Sequence, residues 1–284
     1  MVNLVDFHTH SLISDGSCSP TEVVQAAFKN NVKALSLTDH DSISGILEAN
    51  IASKKYGINF IPGIEISALY PDGRMLHILG LGMDINNVNF LNPYIKMKKA
   101  REESLPITLK YLKYKHNLSI DINIIKEKNL DEFIYINDIH KYLIDNNICN
   151  NSKLIWNTYL DPIPYGKNEL IPIEEAINMI NKSGGVSILA HYNNRNGFSN
   201  INKSKVEEHI KYLISLGLRG IEKYYPTFND DDYRFVDYLI KKYKLIPSGG
   251  TDFHGSYRPN NDIGIGNGTF AVPYEVFYNI KNYW

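Results

Sequence analysis

Nine histidines are spread over the 284 residues, and the places where six of them fall could support chemistry. His8 and His10 follow the run Leu4-Val5-Asp6-Phe7, and His40 follows Leu35-Ser36-Leu37-Thr38-Asp39. His77 lies inside an apolar run over 75–82, His191 follows residues 186–190, and His254 follows 245–252. Carboxylates accompany them: Asp15 after the first pair, Glu65 in Pro62-Gly63-Ile64-Glu65, and Asp252 two residues before His254. Imidazole and carboxylate together are the usual donors of catalytic Zn, Mn and Fe sites. In His8-Thr9-His10 and Asp252-Phe253-His254 both donors project to one side of an extended chain, because strand side chains repeat every second residue. A single H-x-H recurs by chance, and a carboxylate after a strand often caps the next helix, a role open to Asp39 or Asp41. Nine metal-compatible residues at the ends of separate apolar runs do not reduce to such coincidences. His116, His140 and His209 lie in helical patterns and are expected to be structural or surface groups.

These donors can meet only if the runs are strands of one sheet. In parallel α/β folds the carboxyl ends of the strands open onto a shared face, where active sites form. Short apolar runs here alternate with helical patterns, as βα units do. Strands are expected over 2–7, 34–37, 60–63 with 64–70, and 75–82, the last returning after the turn Pro71-Asp72-Gly73. Helices are expected over 21–31, with Ser19 as N-cap and Pro20 at the first position, and over 42–56, stopped by Gly57. From about residue 86 to 170, Lys, Asn, Ile and Tyr dominate, with helical spacing over 94–116 and 138–146; Pro106 should kink or split the first. Alternation then resumes, with helices over 173–182, 203–216 and 230–243 and strands over 186–190, 220–224 and 245–249. Beyond about Tyr257 loop is expected, with a short closing segment at 269–272. The organisation is thus an α/β body, 1–85 and 171–284, interrupted by a helical insertion, 86–170, that caps the active site.

Composition narrows the class. Apolar residues make up 43% and charged residues 21%, ordinary for a globular protein with a core. A net charge of −1 offers no extended nucleic-acid surface, so a polyanionic ligand needs a local site. Cys18 and Cys149 do not make a disulfide framework, and a reduced, cytoplasmic setting fits. No signal peptide and no stretch approaching the roughly 20 apolar residues of a membrane span are seen. Nothing in the sequence sets the oligomeric state.

At this point the motifs are recognisable. The chain resembles the PHP (polymerase and histidinol phosphatase) family, in its stand-alone phosphoesterase branch. The segments that carry the likeness include Asp6-Phe7-His8-Thr9-His10-Ser11, Ser14-Asp15-Gly16, Leu37-Thr38-Asp39-His40-Asp41 and Pro62-Gly63-Ile64-Glu65-Ile66-Ser67. Leu76-His77-Ile78-Leu79-Gly80, Leu189-Ala190-His191, Gly220-Ile221-Glu222 with Tyr225-Pro226, and Gly249-Gly250-Thr251-Asp252-Phe253-His254-Gly255 continue it. The resemblance implies an α/β fold, a distorted barrel of seven β/α units, holding two or three divalent metal ions (Mn, Fe or Zn). His8, His10, Glu65 and Asp252 would hold one ion, and Asp15, His40 and His254 a second. Glu65, bridging, with His77 and His191 would hold the third. The implied reaction is hydrolysis of a phosphate ester by attack of a metal-bridging hydroxide, with a small phosphorylated metabolite, foremost a nucleotide, as substrate.

Beyond the metals, phosphate substrates with several anionic groups usually call on Arg or Lys. Arg195, shortly after His191, and Arg258, shortly after His254, are the candidates, whereas Arg101 reads as a solvated surface charge. Tyr192, Tyr224 and Tyr225 lie near strand ends and are placed either to stack on a base or to pack the barrel rim. Relatives that act on nucleoside 3′,5′-bisphosphates usually carry R-P-H in the insertion. The best-matching stretch here, Ile136-Asn137-Asp138, lacks the Arg, and Lys141 or Lys153 is left to compensate. That departure keeps other activities open: a histidinol-phosphate-type phosphatase, a metal-activated amide or lactone hydrolase, and a non-catalytic metal-binding module.

Overall fold

A computed structural model describes residues 3–129, 131 and 133–283; Val2, at the start of the strand expected over 2–7, lies outside them. The body opens with β1 (Leu4–Asp6), α1 (Pro20–Lys29), β2 (Val32–Leu37), α2 (Ile46–Tyr56), β3 (Asn59–Leu69) and β4 (Met75–Leu81). The insertion carries α3 (Val88–His116), α4 (Ile122–Lys128), α5 (Ile136–Asp145) and α6 (Ser152–Leu154), which runs into a π-helical turn over Ile155–Leu160. Then follow β5 (Ile171–Pro172), α7 (Ile173–Lys182), β6 (Val186–Leu189), α8 (Lys203–Ser215), β7 (Gly220–Tyr224), α9 (Asp230–Tyr243), β8 (Ile246–Gly249) and α10 (Glu275–Lys281).

Local chemistry explains most boundaries. Ser19 Oγ accepts the Glu22 N–H at 3.2 Å while the Glu22 carboxylate accepts the Ser19 N–H at 2.7 Å, a reciprocal cap with Pro20 just inside. Gly57 closes α2 in the left-handed region at φ 66°. That helix starts at Ile46, later than its spacing suggested, because residues 41–43 are drawn into side-chain contacts described below. Pro106 does not split α3, which runs through both Pro93 and Pro106. A proline inside a helix costs roughly 3 kcal/mol, and the buried Leu105, Thr108 and Leu112 around Pro106 offset that by packing. Helix α10 was expected to be loop; its buried Val276, Phe277 and Ile280 pack against Val5 and Ile246.

The strands order as β1-β2-β3-β4-β6-β7-β8, with β5 on β3. Pairing is parallel from β1 to β3 and from β6 to β8, but β4 runs antiparallel to both of its neighbours. The β3–β4 link is a tight turn, too short for the crossover that parallel strands require, so this unit departs from the β/α repeat. The two ends of the path meet past the strands proper: Phe7 N–H donates to Gly249 O at 3.1 Å, and Asp252 N–H to His8 O at 2.8 Å. That is the arrangement of a distorted barrel. Its core is continuous through Ile64, Ile66, Ile78, Leu189 and Ile221. The insertion has a separate core built on Leu105, Leu112, Ile139, Leu143 and Ile155.

Candidate metal centre

Past β1 the chain stays extended between two neighbours. Thr9 N–H donates to Thr38 Oγ1 at 3.0 Å and Thr9 Oγ1 donates to Ser36 O at 2.8 Å, while Asp252 N–H reaches His8 O from the other side. With both edges paired, His8 and His10 project together and are fully buried. Gly250 lets the chain pass close beside His8, since a Cβ there would lie 2.4 Å from the His8 backbone nitrogen. The Asp39 carboxylate does not cap α2. It accepts from Ser11 N at 2.7 Å, Ser11 Oγ at 2.7 Å and Ser14 Oγ at 2.6 Å, and so shapes the loop that delivers Asp15. His77 sits in the first half of β4, yet reaches the same face as the strand-end residues because β4 runs antiparallel.

Glu65 is the hub. Its Oε2 lies 3.1 Å from His8 Nε2, 3.2 Å from His10 Nε2 and 3.2 Å from His40 Nδ1; its Oε1 lies 2.8 Å from His77 Nδ1 and 3.1 Å from His191 Nε2. Asp252 Oδ1 approaches His10 Nε2 at 3.1 Å and His8 Nε2 at 3.4 Å. Asp15 Oδ1 approaches His254 Nε2 at 3.2 Å, with His10 and His40 at 3.7 and 3.9 Å. All nine residues converge. Among the described residues, three sets have donor atoms within 4.8 Å of one another: His8, His10, Glu65 and Asp252; His10, Asp15, His40 and His254; and His40, Glu65 and His77. The first matches the set implied by the family. The other two add His10 to the second and put His40 where His191 was placed.

The donors fit metal ions. Metal–ligand bonds of about 2.1 Å at tetrahedral or octahedral angles separate neighbouring donors by roughly 3.0–3.4 Å, the range in which most of these contacts fall. His8 Nε2, both nitrogens of His10, His40 Nδ1, His77 Nδ1, His254 Nε2 and Glu65 Oε2 are buried with no hydrogen-bond partner, although a buried polar atom left so is costly. Cations satisfy such atoms; the imidazoles alone do not. Outer contacts aim the lone pairs. Glu222 Oε1 lies 2.9 Å from His8 Nδ1, and Asp252 O lies 2.7 Å from His254 Nδ1, leaving Nε2 of each ring as the donor toward an ion. Glu222 Oε2 also accepts the His191 N–H at 2.6 Å, securing a residue at φ 23°, a left-handed conformation rare for histidine. Tyr225 OH donates to Asp252 Oδ2 at 2.8 Å and Arg258 pairs with the same oxygen, which leaves Oδ1 for the histidines.

The electrostatics of the metal-free cluster follow. Burial opposes charge on His8, yet Glu65, Glu222 and Asp252 hold its pKa well above the usual value. Against the same burial, Asp252 and Glu65 push His10 up to about 9. Burial holds His40 well below its usual value. Burial works to raise Glu65, Asp15 and Asp252, but the histidines around all three, with Arg258 first for Asp252, hold them well below the carboxylate range.

The substrate-side expectations fare differently. Tyr192 is buried and donates to Asp232 Oδ1 at 2.7 Å, so its ring is packed in the core and offers no face to a base. Tyr225 packs at the rim and serves Asp252. Arg258 lies at the site but is engaged by Asp252, and Arg195 is exposed and paired with Asp161 of the insertion. Arg101, expected in solvent, is 5% exposed, with Nη2 2.9 Å from Asp41 Oδ2. Lys141 lines a shallow crevice with Ile124, Asp138 and Asp145, and Lys153 is exposed. His116 packs on Tyr159 and His209 on Phe198. His140 is buried against Trp156. Asp39 was open in the sequence only to a helix-capping role, and Glu222 had no role beyond its place in the family-like Gly220-Ile221-Glu222; a carboxylate alternating with apolar residues in β7 was the available signal for Glu222.

A sequence profile of the PHP domain matches residues 6–233. The chain is 27% identical over 263 residues to a 3′,5′-nucleoside bisphosphate phosphatase of Chromobacterium violaceum, covering 92% of this chain and 90% of that protein. It is 30% identical over 256 residues to a 5′-3′ exoribonuclease of Haemophilus influenzae, covering 89% and 91%. A solved structure from Bifidobacterium adolescentis, described as a metal-dependent phosphoesterase, superposes with a TM-score of 0.82 at 21% identity over 99% of this chain and 96% of that one, a likeness of fold.

Proposed function

Because the chain belongs to the PHP domain family and is a metal-dependent phosphoesterase, we propose that it hydrolyses a phosphate ester of a nucleotide, of the nucleoside 3′,5′-bisphosphate or short-oligonucleotide type. The carrying observation is the convergence of five imidazoles on the one buried carboxylate of Glu65. His8, His10, Glu65 and Asp252 would hold one ion, Asp15, His40 and His254 with His10 a second, and Glu65, His77 and His191 a third, with Mn, Fe or Zn as occupants. Bound there, the ions supply an activated water and charge to offset that of the phosphoryl oxygens.

The chain's own groups do the rest. Glu222 keeps the proton of His8 on Nδ1, and Tyr225 and Arg258 fix the Asp252 carboxylate in one orientation. Arg195, at the exposed rim, is free to exchange Asp161 for a substrate phosphate at little cost, since exposed ion pairs contribute only about 0–1 kcal/mol. The names of the relatives support a nucleotide over histidinol phosphate. Ile136, standing where relatives that act on nucleoside 3′,5′-bisphosphates carry Arg, leaves a second phosphate without that partner and so favours the short-oligonucleotide type of the two. Phosphate release from a panel of nucleoside bisphosphates, monophosphates, short oligonucleotides and histidinol phosphate, with Mn(II) present, tests this. Turnover of nucleotides is expected; turnover confined to histidinol phosphate or to non-phosphate esters would refute it.

A further inference from the structure

Residues 40–43, between β2 and α2, are each gripped by the insertion. Tyr135 OH donates to His40 O at 2.9 Å. Arg101 Nη2 lies 2.9 Å from Asp41 Oδ2 and donates to Ser67 O at 3.2 Å, while Asp41 Oδ1 accepts Ser67 N–H at 2.9 Å. Ser42 Oγ donates to Asp131 Oδ2 at 2.5 Å, and that oxygen is held by Lys98 Nζ at 2.8 Å. Ile43 N–H donates to Tyr94 OH at 3.4 Å. Tyr94, Lys98 and Arg101 recur at helical spacing on one buried face of α3. The Lys98 side chain is fully buried, 4.0 Å above the Tyr135 ring.

A cover that only shields the mouth does not need a buried ammonium. Desolvating one costs several kcal/mol, and a buried ion pair is retained best where it specifies a register. The register here is that of the segment bearing His40, the most exposed ring of the cluster at 13%. We propose that the insertion is the positioning element of His40: by gripping residues 40–43 it sets the imidazole for the ion that His40 shares with His10, Asp15 and His254. Docking of the insertion and occupancy of that ion are then coupled, each favouring the other by the same factor. This rests on the metal-centre assignment above.

The test uses the 284-residue chain, the variants Tyr135→Phe and Lys98→Met, and Tyr114→Phe, an exposed tyrosine of the same helix α3, as control. Equilibrium dialysis with metal analysis reads Mn(II) affinity and stoichiometry, and limited trypsin digestion with and without Mn(II) reads docking. Loss of one neutral hydrogen bond should weaken the loosest Mn(II) by about fivefold in Tyr135→Phe. Its kcat at saturating Mn(II) and its KM for substrate should be kept. Lys98→Met should speed cleavage within the insertion, and Mn(II) should protect the insertion in the wild type more than in either variant. Wild-type Mn(II) affinity in both variants, with or without a lowered Tm, would overturn the clamp and leave the metal centre standing. A wild type that binds no Mn(II), Fe(II) or Zn(II) would instead overturn the metal centre, and the coupling with it.

Discussion

Glu65 and Lys98 are both charged groups shut away from water, and their surroundings are opposite in kind. Around Glu65 the polar atoms are left over: His8 Nε2, His10 Nε2 and His40 Nδ1 crowd one carboxylate oxygen without completing a hydrogen bond. Around Lys98 they are used up, with Asp131, Ser42 and the Tyr135 ring meeting the ammonium and its counter-ion. A protein can keep unsatisfied buried donors only where something else satisfies them. The first region is therefore organised for cations, and the second for holding two parts of one chain in register.

The sharpest way to break that contrast is to remove the hub. Glu65→Gln should lower phosphate release by a factor on the order of a thousand or more, since each metal offers several kcal/mol of transition-state stabilisation; circular dichroism should show the fold kept. Activity near that of the wild type would mean that the cluster is an ordinary buried ion network. Glu222→Gln is milder, because it disturbs only the partner of His8 and the His191 N–H. Metal affinity should drop about 10- to 100-fold, and dialysis against graded chelator would read it; an unchanged affinity would remove Glu222 from the account.

Acidity sharpens the contrast further. Folding raises His10 from 6.5 to about 9, so its stabilisation of the metal-free protein is complete below about 6.5 and is lost as pH climbs through 9. Glu65, Asp15 and Asp252 shift downward, so their contribution is present above about 4.5 and is lost as pH falls through their lowered values. An ion must displace the protons on His8 and His10, so Mn(II) affinity should climb between pH 6.5 and 9 with proton release. Calorimetry in buffers of different ionisation enthalpy measures this, and a flat profile would contradict it. The smallest effect belongs to the rim. Arg195→Ala should change stability by less than about 1 kcal/mol and raise KM without altering metal content; a loss of metal would show that Arg195 reaches the centre.

Much of the barrel mouth was legible in the sequence because its signals are local. His8-Thr9-His10 and Asp252-Phe253-His254 show their geometry by strand alternation, and the apolar runs before them mark which end of each strand they occupy. The insertion offered no such handle. Tyr135 meets His40 across 95 positions and Arg101 meets Ser67 across 34, and no periodicity marks either pair. Arg101 therefore looked like a surface charge, and Tyr192, beside His191, looked placed to stack on a base or pack the rim, although its hydroxyl turns inward to Asp232. The exception is α10, where Val276, Phe277 and Ile280 carry helical spacing that was there to be read.

Anomalous diffraction from crystals of the Mn(II)-loaded protein addresses the central claim most directly. Two or three peaks should appear within bonding distance of the three donor groups: His8, His10, Glu65 and Asp252; His10, Asp15, His40 and His254; and Glu65, His77 and His191. Ordered Mn(II) found only elsewhere, with Glu65 bound to imidazoles alone, would contradict it.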